Sequence, residues 1–318
     1  MPDNSFPITL SDILSAHEEI APVIHRTPIF TSQGINKMVN SNVFFKCENL
    51  QHVGAFKMRG TSYTISTLND EQLSNGVCTH SSGNHAQAVA KCAQMYGIPA
   101  HIVMPRNAPA VKRQAVQGYG ATIYDCSAHI EDREKTLAIV QDQTGAHFIH
   151  PYNDYRVITG QATAAKELLE EAPNLNIIVA PVGGGGLLSG TGLITSFVSP
   201  TTKVYGAEPK MVDDAFRSFH SGKLEKNTTI DTIADGLLTL LGDKTLPIIR
   251  STAQDILTVS EASIILAMRM IWERMKLIVE PSAAVPLAAV ITHPQVFKEQ
   301  TVGIILSGGN VDLSKLPF

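Results

Sequence analysis

From about residue 43 onward the chain alternates between short apolar runs and longer stretches whose apolar positions recur every three or four residues, with glycine- or polar-rich segments between them. Runs too short for a helix and bounded by turn residues predict buried parallel strands, and the longer periodic stretches predict amphipathic helices. Strands are expected at Val43–Phe45, Val77–Thr79, Ala100–Met104, Thr122–Tyr124, Phe148–Ile149, Ile177–Val179, Val204–Gly206 and Val302–Leu306. Helices are expected to begin near Ser11 and to cover Asn84–Tyr96, closed by Gly97, and Pro109–Gln117, where proline suits the first turn. Strand, loop and helix in repetition predict an α/β protein of two open parallel-sheet domains with a cleft between them. No repeat, low-complexity tract or long linker marks a boundary, so topology alone divides the chain. Residues 1–75 and 151–318 are expected to form a discontinuous large domain, with 76–150 inserted as a smaller, mobile one.

The length of 318 residues suits about two domains. A formal net charge of -4 with no dense Lys/Arg tract argues against nucleic acid or an anionic membrane as partner and leaves small molecules. Cys47, Cys78, Cys92 and Cys126 are far apart and include no Cys-x-x-Cys pair, so neither zinc nor a disulfide framework is expected, and a cytoplasmic location is. The first residues lack the basic-then-apolar layout of a secretory signal. Leu175–Thr202 carries no charge, but Pro181 and four successive glycines favour a strand, loop and helix over a membrane span.

In open parallel sheets, ligands sit beyond the carboxyl ends of the strands, and the polar and glycine-rich segments here fall at such ends. Lys57 lies in Gly54-Ala55-Phe56-Lys57-Met58-Arg59-Gly60, a cation among apolar neighbours where a helix should begin. Desolvation there lowers an amine's pKa and makes it a usable nucleophile and proton carrier. Gly183-Gly184-Gly185-Gly186 follows an apolar strand and precedes the helix opening at Leu187, so its backbone N–H groups can approach a phosphate closely. A rival reading is the dinucleotide fingerprint, but Gly184-x-Gly186-x-x-Ser189 has serine at the third glycine position and leaves Lys57 without a role. A lysine nucleophile together with a phosphate cradle points to pyridoxal phosphate, whose aldehyde condenses with an amine.

Further motifs carry a resemblance over nearly the whole chain. They are Ser81-Ser82-Gly83-Asn84-His85, His150-Pro151, Gly160-Gln161, Ala207-Glu208-Pro209, Ile233-Ala234-Asp235-Gly236, Trp272-Glu273-Arg274-Met275-Lys276, Ser307-Gly308-Gly309-Asn310 and Val311-Asp312-Leu313. With Lys57 and the glycine run, these resemble the serine racemase branch of the fold-type II (tryptophan synthase β-like) pyridoxal-phosphate enzymes. That branch is kin to serine and threonine dehydratases and to 3-hydroxyaspartate dehydratases.

The resemblance implies a role for each residue. Lys57 would hold the cofactor and act as base on one face of the substrate. Phe56, Gly183–Gly186, Leu187 and Gly236 would line the cofactor, Asn84 would donate to its phenolic oxygen, and Ser307 would stand at its ring nitrogen. Ser81, Ser82, Asn84, His85 and Arg133 would bind the substrate carboxylate. Ser82 matches the serine that faces the lysine in racemases, whereas typical threonine dehydratases carry alanine there. Inverting a stereocentre needs a proton acceptor and a proton donor on opposite faces, which Lys57 and Ser82 can supply. Glu208, the carbonyl of Val212 and Asp214 match a structural site for Mg²⁺, Ca²⁺ or Mn²⁺, and hard oxygen ligands suit those ions. Gln87, Lys112, Tyr119 and Asn310 match positions that hold ATP, an activator of some relatives, at a dimer interface. Tyr152-Asn153-Asp154 departs from mammalian racemases toward microbial hydroxyamino-acid dehydratases.

The function so implied is racemisation of L- and D-serine by a homodimer, with β-elimination to pyruvate and ammonia. The rivals are a dehydratase for L-threonine or threo-3-hydroxyaspartate with little racemisation, and a non-catalytic sensor of pyridoxal phosphate or nucleotide.

Overall fold

A computed structural model describes residues 6–108, 110–172 and 174–318. Ten strands are present: β1 (Ile29–Thr31), β2 (Asn42–Cys47), β3 (Val77–His80), β4 (Ala100–Pro105), β5 (Thr122–Cys126), β6 (His147–Phe148), β7 (Ile177–Pro181), β8 (Lys203–Pro209), β9 (Asp255–Val259) and β10 (Thr301–Leu306). They form a six-stranded sheet in the order β1-β2-β10-β7-β8-β9 and a four-stranded sheet in the order β5-β4-β3-β6. These are the two open parallel sheets expected from the sequence, and the short edge strand β1 alone pairs antiparallel, with β2. The central β7 is buried at every position, as a strand covered on both faces must be.

Each expected strand is present, with β6 one residue earlier than predicted, and β1 and β9 are additional. Gly97 closes the helix Asn84–Tyr96 in the left-handed region at φ 68°. The helix Ala110–Gly118 falls where one was expected, while the first-turn assignment to Pro109 lies outside the described residues. The four strands of the smaller sheet all lie within 77–148, but the core beneath them also takes Ile20, Ile24, Met58, Ile65 and Val157 from outside that span.

The helix Lys57–Ser66 is fixed at two points. Against the helix Tyr155–Glu171 the backbones approach so closely that a Cβ on Gly160 would lie 2.6 Å from the Cα of Gly60, which accounts for both glycines. Beside this crossing, the guanidinium of fully buried Arg59 donates to both oxygens of Glu48 at 2.7 and 2.8 Å and to both oxygens of Glu167 at 2.9 and 2.8 Å. Lys46 also reaches Glu167 at 2.6 Å, and His17 at 3.1 Å. Burial pushes the Glu167 carboxyl up, but hydrogen bonds from His17 and Arg59 outweigh it and hold the group well below the usual carboxylate range.

Arg59→Leu should therefore destabilise the fold by about 3–5 kcal/mol in urea unfolding, because two buried carboxylates lose their shared partner. In the native chain the depressed Glu167 contributes stability above the unfolded carboxyl pKa and loses it as pH falls through its folded value. In the variant the orphaned carboxylates must take up protons, so the deficit should be largest at neutral pH and shrink on acidification. A deficit independent of pH would show that packing, not charge, is what Arg59 supplies.

Candidate active site

The segments that follow β2, β3, β7 and β10 hold Lys57, the serine loop, the glycine run and Ser307, and hydrogen bonds join several of them. The N–H of Phe56 donates to the Ser307 carbonyl at 3.0 Å, and the Gly309 N–H donates to the Gly54 carbonyl at 2.9 Å. This strap seats Lys57 at the first turn of its helix. Val53, just before it, is held at φ 54°, an uncommon conformation for a β-branched residue, and its carbonyl accepts from Asn310 Nδ2 at 2.7 Å.

Lys57 is half-buried, and its Nζ donates to the Pro151 carbonyl at 2.8 Å while lying 5.0 Å from the Phe56 ring centroid. Burial lowers this amine from the ordinary lysine value to about 8, with the carboxylate of Glu280 acting in the opposite direction. Roughly a tenth of it is then unprotonated at pH 7, against roughly one part in three thousand for an ordinary lysine.

Two histidines, His85 and His150, lie near enough to the amine to feel its charge, and His80 lies beside them. His85 is buried; its Nε2 lies 3.0 Å from the Ile149 carbonyl, and its Nδ1 is enclosed without a partner. Burial and the neighbouring Lys57 hold its pKa well below the ordinary histidine value, so the ring is a neutral acceptor. His150 accepts at Nδ1 from the N–H groups of Tyr152 and Asn153 at 3.2 and 2.9 Å, and burial, His80 and Lys57 lower it to about 4. His80 is lowered by burial as well. Burial, which disfavours the charged ammonium, is what keeps Lys57 a base.

The glycine run connects β7 to the helix Gly186–Val198, with Gly185 at φ 89°. A Cβ on Gly184 would lie 2.2 Å from the Tyr152 ring, and one on Gly183 would lie 3.1 Å from the Gly236 carbonyl. Side chains are therefore excluded from a cradle whose N–H groups open at a helix N-terminus, which fits a phosphate. Gly236 itself donates from its N–H to Ser282 Oγ at 3.1 Å, while Leu187 and Ser307 are buried. The serine loop sits at the end of β3, where Gly83 N–H donates to Ser81 Oγ at 3.3 Å and the helix begins at Asn84. Ser81 and Ser82 are half-buried. Arg133 stands in the first turns of the helix Ile130–Thr144, its Nε enclosed without a partner.

Asn84 is held by two further side chains of the site. Its Nδ2 lies 2.9 and 3.2 Å from the two oxygens of Glu280, and its Oδ1 accepts from Asn310 Nδ2 at 2.9 Å. An amide has two N–H groups, so one remains able to serve a ring oxygen while the other stays on Glu280. Glu280 and Tyr152 are thus part of the site although neither was singled out for a role. The one sequence signal for Glu280 was an acid directly before proline at the head of an apolar helix, and the signal for Tyr152 was the departure at 152–154.

The remaining assignments are spread more widely. Glu208 accepts from the N–H groups of Ala215 and Phe216 at 3.0 and 2.9 Å; Asp214 accepts from Asn227, and its Oδ2 is enclosed without a partner. Burial, and then the nearby Asp214, raises Glu208 to about 9, and burial raises Asp214 to about 6. Val212 is buried beside them. No cluster of three or more His, Cys, Asp or Glu suited to a metal occurs among the described residues, so this set of two carboxylates and a carbonyl would need further oxygen ligands. Lys112 pairs with Asp235 at 2.7 Å, Tyr119 lies under Lys91, Gln87 is buried, and Asn310 turns inward to Val53 and Asn84.

Comparison with known proteins agrees with this geometry. A family model described as pyridoxal-phosphate dependent enzyme matches residues 20–308. The chain is 48% identical to a beta-hydroxyaspartate dehydratase of Paracoccus denitrificans, over 98% of each chain. It is 47% identical to a serine racemase of Dictyostelium discoideum over 97% of each. Among solved structures, maize serine racemase superposes with a TM-score of 0.94 at 46% identity, covering 97% of this chain and 95% of that one.

Proposed function

We propose, from the premise that this chain belongs to the pyridoxal-phosphate dependent enzyme family, that it interconverts L- and D-serine and also eliminates the β-hydroxyl of serine to give pyruvate and ammonia. The observation that carries this reading is the Lys57 amine, seated on the Pro151 carbonyl at the head of its helix in a chain whose glycine run excludes side chains from a phosphate cradle.

The residues present fit the cofactor. Gly183–Gly186 and Leu187 would hold its phosphate, Phe56 and Gly236 would line its ring, and Asn84 and Ser307 would meet its polar edge. When bound, pyridoxal phosphate supplies an electron-withdrawing ring that acidifies the Cα–H of an amino acid joined to it. Lys57 Nζ would take that proton, and on the opposite face the Ser82 hydroxyl would return one, which inverts the centre. Ser81, Asn84, His85 and Arg133 would orient the carboxylate. If the β-hydroxyl leaves as water instead, the resulting enamine hydrolyses to pyruvate and ammonia.

A second reading, a dehydratase acting on L-threonine or threo-3-hydroxyaspartate, is favoured by the identity of 48% to the Paracoccus dehydratase, one percentage point above that to the Dictyostelium racemase. A chiral product assay with L-serine, D-serine, L-threonine and both threo-3-hydroxyaspartates separates the two. D-Serine formed from L-serine supports the first reading, and hydroxyaspartate turnover with no D-serine replaces it.

Buried Glu208 and Asp214, both pushed toward the neutral form by burial, together with the unpartnered Asp214 Oδ2, support a bound Mg²⁺, Ca²⁺ or Mn²⁺, since a cation there would let both acids ionise and ligate it. Adding the ion at a hundredfold excess over its Kd should stabilise the fold by about 2.7 kcal/mol, reversed by EDTA and absent in Asp214→Asn. An unchanged Tm with all three ions would rule the site out. The same reading includes a cytoplasmic homodimer activated by ATP through Gln87, Lys112, Tyr119 and Asn310. Four cysteines that are all free and buried support the reducing location; among the described residues no helix is long and apolar enough to cross a membrane. The strand span 77–148 supports a smaller domain, 76–150, that closes over the substrate against 1–75 and 151–318.

A further inference from the structure

We propose that Glu280 is a positioning residue of this site: its carboxylate clamps the amide of Asn84 and supplies the negative charge that the Lys57 amine faces. The inference rests on Lys57 being the cofactor lysine and adds to that reading a residue outside the set assigned to catalysis, cofactor and substrate.

Glu280 is only 5% exposed, at the N-cap of the helix Pro281–Thr292. Its N–H donates to the Gly308 carbonyl at 3.1 Å, and its Oε1 would lie 2.6 Å from a Cβ on Gly308 and 4.0 Å from one on Gly236. The carboxylate is therefore wedged between two glycines at the ends of the loops that should line the cofactor. Around it stand Asn84 from the helix after β3, Asn310 after β10, the paired Asp235 and Lys112, and Lys57. Lys57 in turn is faced by His85 and His150, both neutral.

Hydrogen-bond direction makes the clamp one-way. Asn310 Nδ2 can only donate, and it donates to both the Val53 carbonyl and Asn84 Oδ1. Asn84 must then turn its Nδ2 to Glu280, which as a carboxylate can only accept. The series Val53, Asn310, Asn84, Glu280 joins the strained turn before Lys57 to the serine-loop helix through one fixed amide. Burial, with Asp235 adding to it, raises Glu280 to about 7, so the anion is only just maintained at neutral pH and depends on the Asn84 donor, which acts to lower it.

The test uses the cofactor-free full-length chain. Amine labelling at each lysine is followed by mass spectrometry across pH, with exposed Lys37 as the internal reference. In Glu280→Gln the midpoint for Lys57 should fall by about one pH unit, the size expected when an enclosed opposite charge is removed, while Lys37 is unmoved. Asn84→Ala should lower the Lys57 midpoint as well, because a buried carboxylate stripped of its donor takes a proton, and this variant carries the test if Glu280→Gln does not fold. A Lys57 midpoint unchanged in the folded variant overturns the proposal. A reduced cofactor adduct on some other lysine would instead sink the assignment of Lys57, and the two failures are read from different peptides.

Discussion

Lys57→Ala is expected to lower both racemisation and elimination by about 10⁴-fold or more, since one side chain both holds the cofactor and moves the substrate proton. The two losses should be equal, because both exits require the same Cα–H bond to break first. Cofactor colour should wash out on dialysis, and borohydride reduction should leave no adduct on the peptide containing residue 57. Stability should hardly change: the amine makes one hydrogen bond, to the Pro151 carbonyl, and the helix is held independently by Arg59 and by the Gly60–Gly160 crossing. Activity within tenfold of the native chain would mean that another group does the proton transfer. The low Lys57 pKa, about 8, also sets the pH dependence. Cofactor capture needs the free amine, so its rate should climb with pH up to about 8 and level off above it; an ordinary lysine would keep gaining to beyond 10.

The parts of this site legible in the sequence are those whose chemistry is local. Lys57 stands out as a cation in an apolar and glycine setting, Gly183–Gly186 as a run too long for a simple turn, and Ser81–His85 as a polar loop heading a helix. Strands β3, β4, β7 and β10 are equally plain, since burial on both faces leaves continuous apolar runs. What was not legible depends on distant approach. Glu280 meets Asn84 across 196 positions of sequence, and Tyr152 acquires its place only because Gly184 leaves room for its ring. β1 is three residues long and exists by antiparallel pairing to β2, and β9 opens on a charged residue and mixes half-buried with buried positions, so neither shows a clean period. The one-residue shift of β6 has a similar origin. Its ladder continues through Ile149 N–H to the Cys78 carbonyl, one hydrogen bond beyond the paired residues, so an apolar pattern alone places the strand late.

Ser82→Ala distinguishes racemase from dehydratase, because it separates two proton transfers that the native enzyme performs in one pocket. With Lys57 serving one face and Ser82 the other, D-serine formation from L-serine should fall by about 10²–10⁴-fold, the usual contribution of a positioned acid–base group. Elimination of L-serine needs only the Lys57 face and should lose no more than about fivefold, the cost of one hydrogen bond to the carboxylate. D-Serine presents its Cα–H to the opposite face, so its elimination should collapse together with racemisation. That third measurement is decisive, since a residue that merely bound the carboxylate would affect both enantiomers alike. Ser82 is half-buried at the head of the helix Asn84–Tyr96 and its hydroxyl is a weak base alone, so its capacity depends on the acceptors around it. The enclosed, unpartnered Nδ1 of His85, three residues on, is a neutral acceptor in that neighbourhood. If L- and D-serine elimination fall equally in Ser82→Ala, the second face is served by some other group and the two-base scheme fails, while the cofactor chemistry of Lys57 stands.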